Sequence, residues 1–306
     1  ILELATKLNR IVAVCHVLRY APYYIQIKKI IESGEIGEVV SVHHLEPINH
    51  IHFSHSYVRG IWRNKDVASP LILAKSCHDL DILNWWIDKN CTRINMFGDQ
   101  RLFVNRMAPE GATERCVDCP VNKTCAFSAM KIYLWDKRWG SHYLVKGKAS
   151  TDENILKALK EGEYGKCVFK NDNNQPDHLT LNMKYEDGTT VTMGCEALTS
   201  YGRRRTRIMG TKGDIVGNGK ELSVANFAQN KNYIWNVDDY ARKHQLSLRG
   251  HGGGDMLLVR DFVRAVQAQD SSLLSSSLEV SMASHLMGFE AEESRLNDGE
   301  TRDVKL

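Results

Sequence analysis

The sequence predicts an α+β fold, an open and mostly antiparallel sheet flanked by helices. Three observations carry that prediction. The stretch HLTLNMKYEDGTTVTMGCEAL, residues 178–198, alternates apolar and polar positions on both sides of an Asp-Gly pair, a strong hairpin signature. The stretch RRRTRIMGTKGDIVGNGKELSVANF, residues 203–227, continues as short strands separated by glycine turns. Helical periodicity flanks these strands instead of alternating with them, so the order is α+β and not doubly wound.

The elements follow in chain order. Glu3 to Asn9 reads as the end of a helix, and RIVAVCH (Arg10–His16) as a short buried strand. PYYIQIKKIIESGEIG is an amphipathic helix from Pro22, where a missing N–H costs nothing, and it ends near Gly34. EVVSVHHLEP alternates as a strand, Glu38 to Pro47. SPLILAKSCHDLDILNWWID, residues 69–88, reads as one helix with Ser69 as its cap. At about 100° per residue, Leu73, Cys77, Leu80 and Ile87 share one apolar face, and Leu71, Ile82, Trp85 and Trp86 the other. That helix is therefore covered on both sides, yet Lys75, His78 and Asp79 sit within the second face. A strand starts at Cys91. Residues 100–151 are irregular, with a cysteine cluster and one short helix near Ser128 to Leu134. ENILKALKEG is a small helix, and GDMLLVRDFVRAVQAQ and SLEVSMASHLMGFEAEESRL close the chain as helices.

Composition narrows the function classes. The 306 residues suit one large or two modest domains, and a net charge of +3 implies no nucleic-acid or other polyanionic partner. The arginines of GRRRTRIMG lack aromatic interleaving, and Arg205 and Arg207 alternate as on a strand facing solvent or a partner subunit. No apolar run has the length of a membrane span, so a soluble protein is expected. The eight cysteines are too sparse for a secreted disulfide scaffold, and Cys15, Cys77 and Cys195 read as reduced core residues of a cytoplasmic protein.

VCHVLRYAPYY, IKKIIESGEIGEVVSV, YVRGIWRN, the Ser69 helix, RIMGTKGDI and HGGGDMLLVRDFVRAV together resemble the Gfo/Idh/MocA family of NAD(P)-dependent sugar oxidoreductases. The resemblance runs over essentially the whole chain. It implies an N-terminal Rossmann domain and a C-terminal α/β domain whose open sheet supports homo-oligomerisation, with substrate bound between the two. Residues 1–20 would be the tail of the dinucleotide-binding domain. Residues 21–306 would be the C-terminal domain, with a cysteine-containing irregular insertion at about 100–151. The Rossmann glycine fingerprint is not in the sequence, so the chain is expected to be a fragment, its Rossmann domain missing. The family's Glu-Lys-Pro motif should lie just before Ile1, and the fragment itself should not bind NAD or NADP tightly.

The family commonly places an Asp and a His one helical turn apart on the Ser69 helix. His78 matches the His, while the Asp position falls at Ala74 and Lys75 follows it. Spacing i, i+3 puts Lys75 and His78 on one face, where an imidazole can exchange a proton with a substrate hydroxyl and an ammonium can steady the alkoxide. The plainer reading pairs Lys75 with Asp79 and leaves His78 in the core. Asp81 reads as structural. The resemblance also implies substrate contacts for Arg19, Tyr20 and His251, and cofactor contacts for Trp62 and Arg63. The histidines His43, His44, His50, His52 and His55 read as a solvated or pocket-edge strand and not a metal site.

CVDCPVNKTC sets Cys116 and Cys119 as C-x-x-C, with Cys125 six residues on. That spacing suits a structural zinc with Cys167 or a His as fourth ligand; free thiols tying down a loop, or a disulfide, are the other readings. The leading functional expectation is hydride transfer between NAD(P) and a hydroxyl of a sugar or cyclitol, with His78 as acid/base. An NAD-dependent glycosidase that works by transient oxidation and elimination is the alternative. A sugar-binding or oligomerisation module without catalysis is the reading from another class.

Overall fold

Alternation along β1 (Val39–Pro47) turns Val42, His44 and Glu46 to one face and leaves His43 exposed on the other. The computed structural model describes residues 1–305. It adds β2 (Cys91–Asp99), β3 (His178–Tyr185), β4 (Thr190–Glu196), β5 (Arg205–Gly210), β6 (Gly213–Gly217), β7 (Glu221–Asn226), β8 (Lys231–Asn236) and β9 (Arg302–Asp303). These form one nine-stranded sheet in the order β8-β7-β6-β5-β1-β4-β3-β2-β9. Every pairing is antiparallel except β1 with β4. The expected open, mostly antiparallel sheet is present, and the Asp187-Gly188 turn joins β3 to β4, with Gly188 at φ +93°.

Register gathers the inner face. His44 lies beside Met193 of β4 and Thr206 of β5, and Glu46 lies beside Cys195. Leu179, Leu181, Met183, Val191, Met193, Ile208 and Ile215 complete an apolar floor. The other face stays open and polar, with Thr180, Asn182, Lys184, Thr192 and Arg207 exposed.

Among the described residues ten α-helices, some of a single turn, are α1 (Leu2–Lys7), α2 (Pro22–Glu32), α3 (His50–Phe53), α4 (Leu71–Ala74), α5 (Cys77–Ile87), α6 (His142–Val145), α7 (Asp152–Glu161), α8 (Val237–Lys243), α9 (Gly254–Ala268) and α10 (Leu278–Leu296). Helices α5 and α10 cover the floor: α10 packs on β2 and on α5, and α2 packs on α5. Gly288 permits the close fit, since a Cβ there would strike Leu73 of α4.

Five expectations need correction. The expected strand Arg10–His16 is a single bridge, Ala13 to Ser277, because its partner is the cap residue of α10 and belongs to no strand. The Ser69 helix is two helices, broken at Lys75 (φ −125°, ψ −54°) and Ser76. The segment around His50 and His52 is helical, α3 running into one wide turn over Ser54–Arg59. Residues 100–151, expected to be irregular, contribute to a core: Ile51, Cys116, Met130, Ile132, Tyr133, Leu144, Val145, Ile155 and Leu159 form a second hydrophobic cluster, separate from the main one. Cys15, expected in the core, is exposed, whereas Cys195 is fully buried.

Buried charge ties the chain's beginning to α5. Arg19, 4% exposed, donates from Nε and Nη2 to the two carboxylate oxygens of Asp81 at 2.7 and 2.8 Å, and from Nη1 to the Ser275 carbonyl at 2.8 Å. Burial pushes the Asp81 carboxyl up and the Arg19 guanidinium only partly offsets it. In such a pair the desolvation cost rivals the attraction, but removing one partner strands the other. Arg19→Met and Asp81→Leu should each lower stability by about 3–5 kcal/mol, and the double variant should recover most of that loss. Urea unfolding of all three checks it; a double variant as unstable as the sum of the singles would refute the account.

Candidate active site

The break between α4 and α5 builds the site. Lys75 N–H still donates to Leu71 at 2.9 Å, but Asp79 and Leu80 N–H donate to Ser76, so a new helix starts there. The chain bends, and successive side chains go to different places. Lys75 reaches β1, its Nζ 3.0 Å from Glu46 Oε1. Asp79 turns into the protein, where Arg204 holds it through Nε and, at 3.0 Å, through Nη2. His44 Nε2 is 2.9 Å from the same carboxylate, with His44 Nδ1 2.8 Å from Thr206 Oγ1. Arg204 Nε also lies 3.0 Å from Glu46 Oε2.

Two carboxylates thus face an arginine and a lysine beneath the sheet centre. Burial alone would raise the Asp79 carboxyl; the Arg204 guanidinium and the His44 ring reverse this and hold it well below the usual carboxylate range. Sequence reasoning read the GRRRT arginines as a solvated face. That holds for Arg205 and Arg207, which are exposed, but not for Arg204, which the network draws inward. Its only sequence signal was a charge just outside the strand's alternation. The i, i+4 pairing of Lys75 with Asp79 does not form, because the helix between them is broken.

Lys75 opens onto a cleft of about 590 Å³, walled by Glu46, Ile48, Asn49, Ile51, His52, Arg138, Trp139 and Gly202. The His52 ring stacks on Trp139, centroids 5.0 Å apart. A second opening of equal volume, between Gly37–Val40 and Asp187–Thr189, offers only the scattered surface charges Glu38, Lys89 and Asp187, so the Lys75 cleft is the chemical candidate.

His78 points elsewhere, into a row of histidines. Its ring centroid is 6.2 Å from His16 and 6.5 Å from His251, and His16 is 5.6 Å from His285. His78 Nδ1 is buried without a hydrogen-bond partner. Burial first, then the Arg204 charge, lower its pKa to about 4, so the ring is neutral and able to accept a proton. His16, also without a ring hydrogen bond, is lowered to about 3 by burial and by Arg19. Neither His16 nor His285 was legible as a site residue, since the row draws on four distant segments.

The structure thus brings together His78 and His251 but not His78 and Lys75, which acts on His78 only as a nearby charge. His251 is exposed, φ +44°, and its Nδ1 lies 2.7 Å from Asp255 Oδ1. Gly252 and Gly253 take φ of +69° and +94°, turning the chain so that α9 starts against Val17, where a Cβ on Gly254 would clash. Arg19 and Tyr20 do not present themselves to a ligand: Arg19 is engaged by Asp81, and Tyr20 Oη lies 2.9 Å from Ser276 Oγ in the interior. Arg63 pairs with Asp172 at 2.7 Å and Glu163 at 3.3 Å, while the Trp62 ring remains 38% exposed.

The clustered histidines are individually accounted for. His50 Nδ1 meets the Thr199 carbonyl at 3.1 Å, and His55 Nδ1 meets Tyr133 Oη at 2.8 Å and stacks on Tyr164. Among the described residues no group of three or more His, Cys, Asp or Glu side chains is set as a metal site. Cys116, Cys119 and Cys125 nevertheless gather with Cys167 around one small cavity.

Comparison with known proteins adds three findings. A family profile described as "Oxidoreductase family, C-terminal alpha/beta domain" matches residues 28–288. YteT of Bacillus subtilis (strain 168), named as a candidate oxidoreductase, is 27% identical over 276 residues, which are 85% of this chain and 62% of YteT. The chain therefore spans less than two thirds of that relative's length. Two solved structures share the fold at 15% identity. A levoglucosan dehydrogenase in complex with NADH and levoglucosan has a TM-score of 0.66, over 99% of this chain and 69% of its own. An oxidoreductase of Agrobacterium radiobacter in complex with NAD+, L-tartaric acid and magnesium has a TM-score of 0.61, over 99% and 68%.

The neutral histidines set a pH dependence of stability. His16, His52, His55 and His78 are lowered to about 3, 4, 4 and 4, in each case mainly by burial, from an ordinary 6.5. The unfolded chain then binds more protons than the folded one between these values. Stability is full above pH 6.5 and falls as pH drops from 6.5 toward 4, each histidine adding a slope of about 1.4 kcal/mol per pH unit. Urea unfolding at pH 7.5, 6 and 5 should show the loss, and His16→Gln should make it shallower. Equal stability at the three pH values would exclude it.

Proposed function

The chain belongs to the Gfo/Idh/MocA oxidoreductase family, matching its C-terminal α/β domain, and from that membership we propose that the whole protein transfers hydride between NAD or NADP and a sugar or cyclitol. This chain would be the substrate half of that protein, with residues 21–306 as its C-terminal domain and a dinucleotide-binding domain supplied by further sequence. The observation that carries the reading is His78: a neutral ring with a free buried nitrogen, at the break between α4 and α5 and next to an exposed histidine. A bound nicotinamide supplies or takes the hydride.

The residues of the chain have separate tasks in this reading. His78 takes the proton from the substrate hydroxyl during oxidation and returns it during reduction. His251 stands between His78 and solvent, where it contacts substrate or passes the proton on. Lys75, held by Glu46, presents an ammonium and a carboxylate to the cleft across the bend from His78, a pair suited to the vicinal hydroxyls of a sugar that extends there from its reacting carbon. The Trp139 face offers an apolar platform to a sugar ring. The half-exposed Trp62 is the residue of its loop left open to the cofactor. Arg19, Tyr20 and Arg63 support the site through Asp81, Ser276 and Asp172. The open polar face of the sheet is the surface through which copies would associate.

In the whole protein, NAD+ with a panel of sugars, cyclitols and nitrophenyl glycosides separates the readings. NADH formation should fall by about 10²–10⁴-fold in His78→Ala with substrate binding retained, the range for removal of a general base. Its kcat/KM profile should have an acid limb near pH 4 that the variant lacks. Lys75→Met should raise KM more than it lowers kcat. Unchanged turnover in His78→Ala would overturn the assignment, and nitrophenol released without net NADH would favour the glycosidase, consistent with Ala74 at the family's Asp position.

A further inference from the structure

We propose that Cys116, Cys119, Cys125 and Cys167 form a site for a single thiophilic divalent cation, zinc by the character of the ligand set, with Arg59 as its buried counter-charge. Three separate stretches of chain are stitched together there. Cys116 and Cys119 lie on one turn, closed by Cys119 N–H donating to the Cys116 carbonyl at 3.4 Å. Cys125 ends the next turn, its N–H on the Val121 carbonyl at 2.9 Å. Cys167 comes from beyond α7, held by the Arg115–Lys166 bridge and by its N–H on the Glu114 carbonyl at 2.9 Å. All four line one cavity of about 10 Å³. That is room for one water-sized sphere, hence for an ion and not for a multi-iron cluster.

Arg59 is the independent observation. It is fully buried, lines the same cavity and touches Cys116 Sγ through Nη2 at 3.5 Å. Its Nε donates to the Lys166 carbonyl at 2.8 Å and Nη2 to the Phe127 carbonyl at 2.7 Å, each carbonyl next to or two residues beyond a cysteine of the set. Nη1 has no partner. Among the described residues no carboxylate pairs with this guanidinium, which cannot shed its charge. A buried cation without a counter-ion is costly. A divalent ion held by four thiolates carries a net charge of about −2, from the charges of its parts, and supplies what Arg59 lacks.

All four cysteines are free thiols surrounding the cavity, and they do not yet meet at ligand spacing. Binding draws them inward and releases one proton from each thiol as four sulfur–metal bonds form. An all-sulfur set selects zinc over magnesium or calcium.

The test uses the purified, reduced chain incubated with zinc and then desalted. Elemental analysis should find about one zinc per chain, released by a mercurial in step with thiol modification. Cobalt(II) in its place should show tetrahedral spectra with sulfur-to-cobalt charge transfer. Cys125→Ser and Cys167→Ser should cut zinc retention at least about tenfold, whereas Cys15→Ser, at an exposed position, should not. The wild-type chain needs no variant to be decisive: a chelator should lower its Tm. Less than about a tenth of a zinc per chain, a disulfide among the four under reducing conditions, or iron with acid-labile sulfide would each overturn the proposal.

Discussion

Two buried carboxylates under the centre of the sheet impose the constraint on which the rest of the site depends. Glu46 descends from β1 and Asp79 from α5, and neither has water to stabilise its charge. Arg204 bridges both, His44 caps Asp79, and Lys75 closes the set at its outer end. Remove Arg204 and two like charges share an interior that cannot screen them. The network joins β1, α5 and the segment leading into β5, so it fixes the angle at which α5 crosses the sheet. It also explains the broken helix. A continuous helix would carry Lys75 over the face of Asp79; the bend lets Lys75 satisfy Glu46 while Asp79 keeps Arg204.

That bend divides the chemistry. On one side, Lys75 and Glu46 line a cleft with an aromatic wall. On the other, His78 meets His251 and His16. The positive charges of Arg19, Arg204 and Lys75 surround these rings, and burial removes the water that would stabilise protonation. Neutral imidazoles are the physical outcome. For His78 this provides a proton acceptor at ordinary pH, since the groups that set its charge belong to the framework and not to the ligand.

Local patterns were readable in the sequence wherever they are decided locally. The Asp187-Gly188 hairpin, the alternation of β1 and β5, and the stop of α2 before Gly34 each depend on neighbours a few residues away. Arg10–His16 misled because apolar content marks burial, and only a partner edge makes a strand. The break at Lys75 misled because nothing in AKSCH forbids a helix; Glu46, 29 positions earlier, pulls the lysine aside. Arg204 and Asp79 are 125 positions apart, and His16 and His285 meet across almost the whole chain. His78 was readable through its place on a recognisable helix, whereas its surroundings were not. Arg19 shows the converse: a residue expected at the substrate, taken by Asp81.

The second hydrophobic cluster connects the cysteine cavity to the cleft. Ile51 belongs to that cluster and lines the cleft, and Cys116 belongs to it and lines the cavity. Tyr133, in the same cluster, anchors His55, while Trp139 packs against the cluster and against His52. The core is small, and long connections surround it, so few apolar contacts hold the cleft wall in place. A cross-link among residues 116, 119, 125 and 167 closes those connections where the packing is thinnest. It removes conformational freedom from a segment that otherwise depends on about ten buried side chains. The four cysteines and the wall of the Lys75 cleft are then two ends of one structural element, and the shape of the cleft depends on whether the cysteine end is tied.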